Sequence, residues 1–231
     1  MNLAKPHLDV GMYVRETEPA LAFWQDEVGA VFDHVLALGP GQRQHRHDLY
    51  GSVLKINNSR DPQPDNPPTG YRELLVACDG LAEPRALRDP EGNRVSLVPP
   101  GTSGVQKVGM RLAVRGLAAH GAFYADALGL AEEKVEGADM AFRVGDSVIL
   151  LDESSDAPSD AQIAGYGWRY ITFQIYKVDQ EHTFALAHGA REGSAPRTLG
   201  ETARISMIRD PDGNWIELSQ RASIVGSLSP N

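Results

Sequence analysis

Arg209-Asp210-Pro211-Asp212-Gly213-Asn214-Trp215-Ile216-Glu217-Leu218 lies near the end of the chain, and Arg88-Asp89-Pro90-Glu91-Gly92-Asn93-Arg94-Val95-Ser96-Leu97 lies near its middle. The Arg, Asp, Pro, Gly, Asn and final Leu coincide, and Glu91 stands opposite Asp212. Each copy reads as a tight turn feeding a strand. Proline presets φ, aspartate caps the turn, and Gly-Asn can take positive φ. In the strand that follows, Trp215 and Glu217 share one face while Ile216 and Leu218 share the other. Glu217 in the second copy stands where the first has Ser96. A carboxylate between two apolar strand residues either faces solvent or looks into a cavity as ligand or acid/base. The duplication shifts the balance toward the cavity.

Working outward, the two halves restate one another. Phe23-Trp24 and Phe123-Tyr124 lie 100 residues apart (123 − 23) on helical stretches that end at Gly29 and Gly129. The first half reads as a strand from His7 to Val14, a helix N-capped by Thr17 with Pro19 in its first turn, a strand from Val31 to Leu38, and a hairpin through Gly51. A Pro- and Asn-rich loop precedes the strand from Tyr71 to Cys78 and the first Asp-Pro turn. In the second half a strand from Val108 to Val114, a helix from Leu117 to Leu128 and strands at 130–135, 140–144 and 147–151 come first. A strand from Arg169 to Val178, a helix from Gln180 to His188 and a strand from Ile205 to Ile208 follow. Each half thus holds two strand-helix-strand-strand-strand units, and the second unit of the first half is abbreviated. Such a chain is α+β: an antiparallel-rich sheet with helices packed on one face. Phe23, Trp24, Phe123 and Tyr124 read as helix-to-sheet core.

The bulk numbers exclude several classes. The 231 residues are 42% hydrophobic, enough for a packed core. A net charge of −9 opposes a nucleic-acid binder, which needs a basic surface. Cys78 stands alone, so the chain forms no internal disulfide and no cysteine metal cluster. No apolar run approaches membrane-spanning length, and the first residues lack an apolar signal core. The expectation is a cytoplasmic protein, monomer or homodimer, whose partner is a small molecule, with no nucleic acid and no membrane.

The aromatic pair followed by Leu128-Gly129-Leu130, the hairpin and the closing Asp-Pro-Asp-Gly-Asn-x-x-Glu-Leu strand resemble the vicinal oxygen chelate superfamily, which includes glyoxalase I, extradiol dioxygenases and bleomycin-resistance proteins. The resemblance spans about residues 7–220 as two tandem copies. It implies tandem βαβββ units forming two cup-shaped, partly open β-barrels with helices on the outside. It divides the chain into a first domain at 7–98, a linker at 99–107 and a second domain at 108–220. It also implies one divalent metal (Fe, Mn, Zn or Ni) held by first-strand residues and a last-strand Glu.

On those positions the ligand set is incomplete. The first-strand position falls on Asp9, with His7 two residues before it, and on Gly109 in the second half. Tyr170 stands where His is common, Glu73 is its counterpart in the second unit, and the last-strand position holds Ser96 or Glu217. Neither half carries a His-His-Glu set, so His7, Asp9 and Glu217 are the metal candidates that remain. Pairing of unit one with unit four would bring His7 or Asp9 towards Tyr170 and Glu217. His45 and His47, two apart on one strand face, offer a metal or anion site, against the reading of a solvated hairpin.

Two functions follow. One is a lyase, isomerase or ring-cleaving enzyme acting on a small oxygenated substrate through an enolate or adjacent-oxygen anion. Glu217 and Tyr170 would be its catalytic pair, with His47, Glu73 and Asp9 binding substrate. The other is a metal-free binding protein that sequesters a small molecule between aromatic walls, with one working cup and one structural cup.

Overall fold

The computed structural model describes residues 1–228. Unit one comprises β1 (Leu3–Tyr13), α1 (Thr17–Ala22), β2 (Val31–Gly39), β3 (Gln42–Leu49) and β4 (Ser52–Ser59). Unit two has three strands, β5 (Tyr71–Ala77), β6 (Arg85–Arg88) and β7 (Arg94–Val98). Unit three has β8 (Val108–Val114), α2 (Leu117–Ala122), β9 (Ala131–Glu133), β10 (Met140–Val144) and β11 (Ser147–Glu153). Unit four has β12 (Gly167–Ile175), α3 (Val178–Ala187), β13 (Arg191–Leu199), β14 (Ala203–Arg209) and β15 (Trp215–Arg221), and a short α4 (Ala222–Val225) follows.

The sheets are assembled across the halves. The larger has the order β13-β14-β15-β12-β1-β4-β3-β2, so it joins unit one to unit four. The smaller has the order β6-β7-β5-β8-β11-β10-β9 and joins unit two to unit three. At the centre of the larger sheet β1 and β12 run antiparallel, with Asp9 opposite Thr172 and Gly11 opposite Tyr170. The outer strands attach in parallel. Gly11 pairs with Lys55 on β4, and Thr172 pairs with Glu217 on β15. These registers put the ends of the chain into one sheet.

Alternation then sorts the faces. Leu8, Val10 and Met12 of β1, Leu54 and Ile56 of β4, and Ile171 and Phe173 of β12 enter the main core, with Leu74, Met110 and Leu112 of the smaller sheet. Trp24, Phe123 and Tyr124 fill the same core, as their apolar bulk requires. Trp24 packs edge-on against Trp168, with ring centroids 5.6 Å apart. Both helices pass into one π-turn at the aromatic pair. Val28 N–H donates to the Phe23 carbonyl and Leu128 N–H to that of Phe123, so the repeat extends to a local backbone irregularity.

The helix starting at Thr17 departs from expectation. Glu16 occupies the N-cap position with extended backbone, and no side chain caps the helix. Thr17 is already the first helical residue. β13 was not anticipated, because Gly193, Pro196 and its polar residues mask a strand. It is an edge strand, where a proline without an N–H can be placed.

The duplicated turns fasten the sheets to one another. In each, the aspartate accepts hydrogen bonds from the backbone and side-chain nitrogens of the asparagine four residues on: Asn93 to Asp89, and Asn214 to Asp210. Asn214 Oδ1 then accepts from Gly70 N–H just before β5, at 2.6 Å. Asn93 Oδ1 accepts from Trp168 N–H in β12, at 3.4 Å. The turn of unit four therefore holds unit two, and the reverse. Buried His120 lies beside the same turn, 3.6 Å from Asp210 and 3.5 Å from Asp212. Burial alone lowers its pKa, but the two carboxylates outweigh that and the net shift is upward.

The open faces of the two sheets differ. On the smaller sheet Leu75, Ala77, Val98, Val148 and Leu150 form a second apolar cluster, closed by Val105 from the connecting segment. Val105 is fully buried and sits over Gly109, where a Cβ would come within 2.8 Å of it. The missing side chain of Gly109 therefore makes room for a plug. The larger sheet keeps an open cavity. Among the described residues, no helix is long and apolar enough to cross a membrane.

Candidate functional site

The concave face of the larger sheet encloses a cavity of about 730 Å³, within the range of small-molecule sites. Its rim is apolar: Leu36 and Leu38 from β2, Ile205 and Met207 from β14, and Trp215. Its floor is polar and charged, with Gln44, Arg46, Lys55, Tyr170, Gln174 and Glu217 all lining it. β1, β4, β12 and β15 lie side by side, so alternation aims Lys55, Tyr170, Thr172 and Glu217 into one space.

Lys55 is the centre of this floor. It is 2% exposed, and its ammonium donates to Thr172 Oγ1 at 2.7 Å and to Glu217 Oε1 at 2.9 Å. Burial lowers its pKa, and the nearby Glu217 and Asp9 carboxylates pull only partly in the opposite direction. Among the described residues no group donates a hydrogen bond to Glu217 Oε2, which leaves that oxygen for a ligand.

Tyr170 lies across β1. Gly11 leaves the space for its ring, since a Cβ there would overlap it. Asn57 Nδ2 and Gln44 Nε2 both donate to the Tyr170 hydroxyl, at 3.2 and 3.3 Å. The Asn57 orientation is fixed by its second bond, Nδ2 to the Met12 carbonyl at 2.9 Å. With both lone pairs engaged, the hydroxyl has its own proton to give. Burial, with Glu217 nearby, raises its pKa well above 10, so it stays a neutral donor.

The other residues singled out from the sequence fall in different places. Asp9 is in this sheet but fully enclosed. Its Oδ1 accepts from Lys5 Nζ at 2.7 Å and Val53 N–H at 2.8 Å, and its Oδ2 from Gln174 Nε2 at 2.9 Å. Its pKa is lowered: burial pushes it up, but the lysines and Gln174 overcome that effect. His7 lies farther along β1, near Gly51 and 4.0 Å from Asp146. His47 points away from the cavity, its Nε2 3.0 Å from Gln25 Nε2 and its ring packed on Phe32. Glu73 belongs to the smaller sheet, where it accepts from Ser96 Oγ at 2.6 Å and pairs with Arg111 at 3.4 Å. The structure thus brings Glu217 and Tyr170 together, with Asp9 behind them, and leaves His7, His47 and Glu73 elsewhere.

The sequence reading missed Lys55 and Arg46. Their signal was alternation. Lys55 sits between Leu54 and Ile56 on the closing strand of unit one, the counterpart of the strand carrying Glu217. Arg46 lies directly opposite Lys55 on β3, on the face that His45 and His47 do not share.

These residues do not fit a resident divalent ion. Such a site needs three or more converging donors. Lys55 puts an ammonium between the Thr172 and Glu217 oxygens, and both Asp9 oxygens are already engaged. Among the described residues no three His, Cys, Asp or Glu side chains converge as a metal group.

The fold matches solved structures over nearly its whole length. Glyoxalase I from Zea mays superposes with a TM-score of 0.70 at 14% identity, covering 93% of this chain and 92% of that one. A Bacillus subtilis protein provisionally described as a dioxygenase superposes with a TM-score of 0.69 at 13% identity, covering 100% of this chain and 92% of that one. At such identities the likeness concerns the fold. No curated protein sequence matches the chain. Residues 107–218 match the Glyoxalase/Bleomycin resistance protein/Dioxygenase superfamily. The second half of the chain therefore belongs to that superfamily, and the first half restates its units and pairs with it strand by strand.

Proposed function

We propose that the cup of the larger sheet is the site of an enzyme that acts on a small oxygenated organic substrate through an enolate or adjacent-oxygen anion. The observation that carries this reading is the Lys55–Glu217 pair on the cavity floor, 2.9 Å apart and flanked by the Tyr170 hydroxyl. Glu217 Oε2 takes a proton from a carbon next to a substrate carbonyl. The negative charge moves to the carbonyl oxygen, where the Lys55 ammonium and the Tyr170 O–H stabilise it. Return of the proton to the same carbon from the other side, or to a neighbouring atom, gives isomerisation; departure of a leaving group gives a lyase. No step passes through a metal.

A second reading is a metal-free binding protein, favoured by the apolar rim of Leu36, Leu38, Ile205 and Met207. Exchange of substrate C–H for deuterium separates the two. Candidate carbonyl compounds incubated with the protein in heavy water should exchange α-hydrogen faster than in its absence. Glu217→Gln should keep the melting temperature close to that of the parent and slow exchange about 10²- to 10⁴-fold, since the amide keeps the shape but cannot accept the proton. Tight ligand binding with no exchange in either protein favours sequestration instead.

A further inference from the structure

Arg46 has no counter-ion. It is 4% exposed, and among the described residues no carboxylate lies within ion-pair distance of its guanidinium. One terminal nitrogen donates to the neutral Gln44 Oε1 at 2.8 Å, and the buried Nε has no hydrogen-bond partner. Directly across the ladder stands Lys55, a second buried cation. Like charges opposite one another on paired strands repel, and Glu217 compensates only one of them. Arg197 and Arg221 also line the cavity, again without an ion-pair partner among the described residues. Four cationic side chains (Arg46, Lys55, Arg197, Arg221) therefore face one carboxylate, Glu217, in a chain whose net charge is −9.

A buried, uncompensated guanidinium is costly to keep unless something supplies its anion. We propose that the ligand of this cup is an organic acid whose carboxylate binds Arg46 at the cavity wall. This rests on the reading of the cup as a small-molecule site and names the substrate class. Nε is enclosed and one terminal nitrogen serves Gln44, so the carboxylate meets the remaining terminal nitrogen, Nη2, through a charge-assisted hydrogen bond. With Arg46 and Lys55 on paired positions, the carboxylate lies within a few bonds of the oxygen held by Lys55. The class is thus a small carboxylic acid bearing a nearby carbonyl or hydroxyl, its apolar end toward Leu36, Ile205 and Met207.

The test uses thermal melts of the whole chain with pyruvate, benzoate, their neutral methyl esters and inorganic phosphate, each at millimolar concentration. The acids should raise the melting temperature and the esters should not. Arg46→Met should melt higher than the parent without ligand, because a buried charge without a partner has been removed. It should also weaken acid binding about 10- to 100-fold, the worth of a lost charge-assisted contact. Glu217→Gln should retain the acid response even where proton exchange is lost, so failure of the catalytic reading leaves this inference standing. Four results overturn it: equal shifts from acids and esters, a larger shift from phosphate than from either acid, silence from every probe, or an Arg46→Met protein that melts lower and still responds to acids.

Discussion

Lys55→Met should destabilise the protein by about 3–5 kcal/mol and abolish its chemistry. The side chain is buried, it satisfies Thr172 and Glu217, and its charge faces Asp9 as well. Methionine preserves the bulk but removes the cation. Glu217 on the cavity floor then loses the cation that is hydrogen-bonded to it, and breaking one side of a buried pair is the costly way to remove it. A double-mutant cycle separates this from lost packing. Glu217→Gln added to Lys55→Met should recover part of the loss, because the stranded charge goes with it. Urea denaturation of the four proteins measures the coupling. The rate of α-hydrogen exchange should fall about 10³-fold in Lys55→Met, the scale of one lost oxyanion stabiliser in a water-poor site. Strict additivity, or an exchange rate equal to the parent's, contradicts the role given to Lys55.

The second large effect concerns a residue with no side chain. Gly11→Ala should destabilise by about 3 kcal/mol, at the upper end for overpacking, because its Cβ meets the Tyr170 ring from below. The ring cannot move without giving up its bonds from Asn57 and Gln44. The damage should therefore reach the site as well as the fold. In a Tyr170→Ala background the same glycine change should cost far less, since the clash is with that ring. Denaturation curves of the two single variants and the double check this directly. Equal costs in both backgrounds would show that β1 itself, and not Tyr170, resists the added carbon.

What could be read from the chain divides along a physical line. The repeated turn, the aromatic helices and the alternating strands are local signals, and they carried the α+β fold and the four units. The polar face of β13 hid a strand, because an edge can tolerate Pro196 and a central strand cannot. Pairing across the halves has no local mark. Asp9 and Thr172 are opposite one another only because long-range contacts put them there. Glu217 stood out against Ser96 in the repeat, and Tyr170 was singled out by the superfamily resemblance, both within one unit. Arg46 and Lys55 could not be joined to them that way, since they come from the first unit. Histidines drew attention to β3, yet alternation gives the cavity its neighbours Gln44 and Arg46.

The same geometry gives Glu217 two possible histories, as a metal ligand in a cup of the kind the superfamily resemblance implies or as the partner of an internal ammonium. Equilibrium dialysis of protein purified without chelator, against manganese, nickel and zinc, decides between them. Lys55 should keep the wild-type cup free of bound ion. Lys55→Glu should retain one ion that Glu217→Gln in the same background releases, because the introduced carboxylate, Glu217 and the Thr172 hydroxyl then converge as three oxygen donors where the ammonium lay. A stoichiometric ion on the wild-type protein, lost when Glu217 becomes glutamine, would contradict Lys55 as the cation of this site.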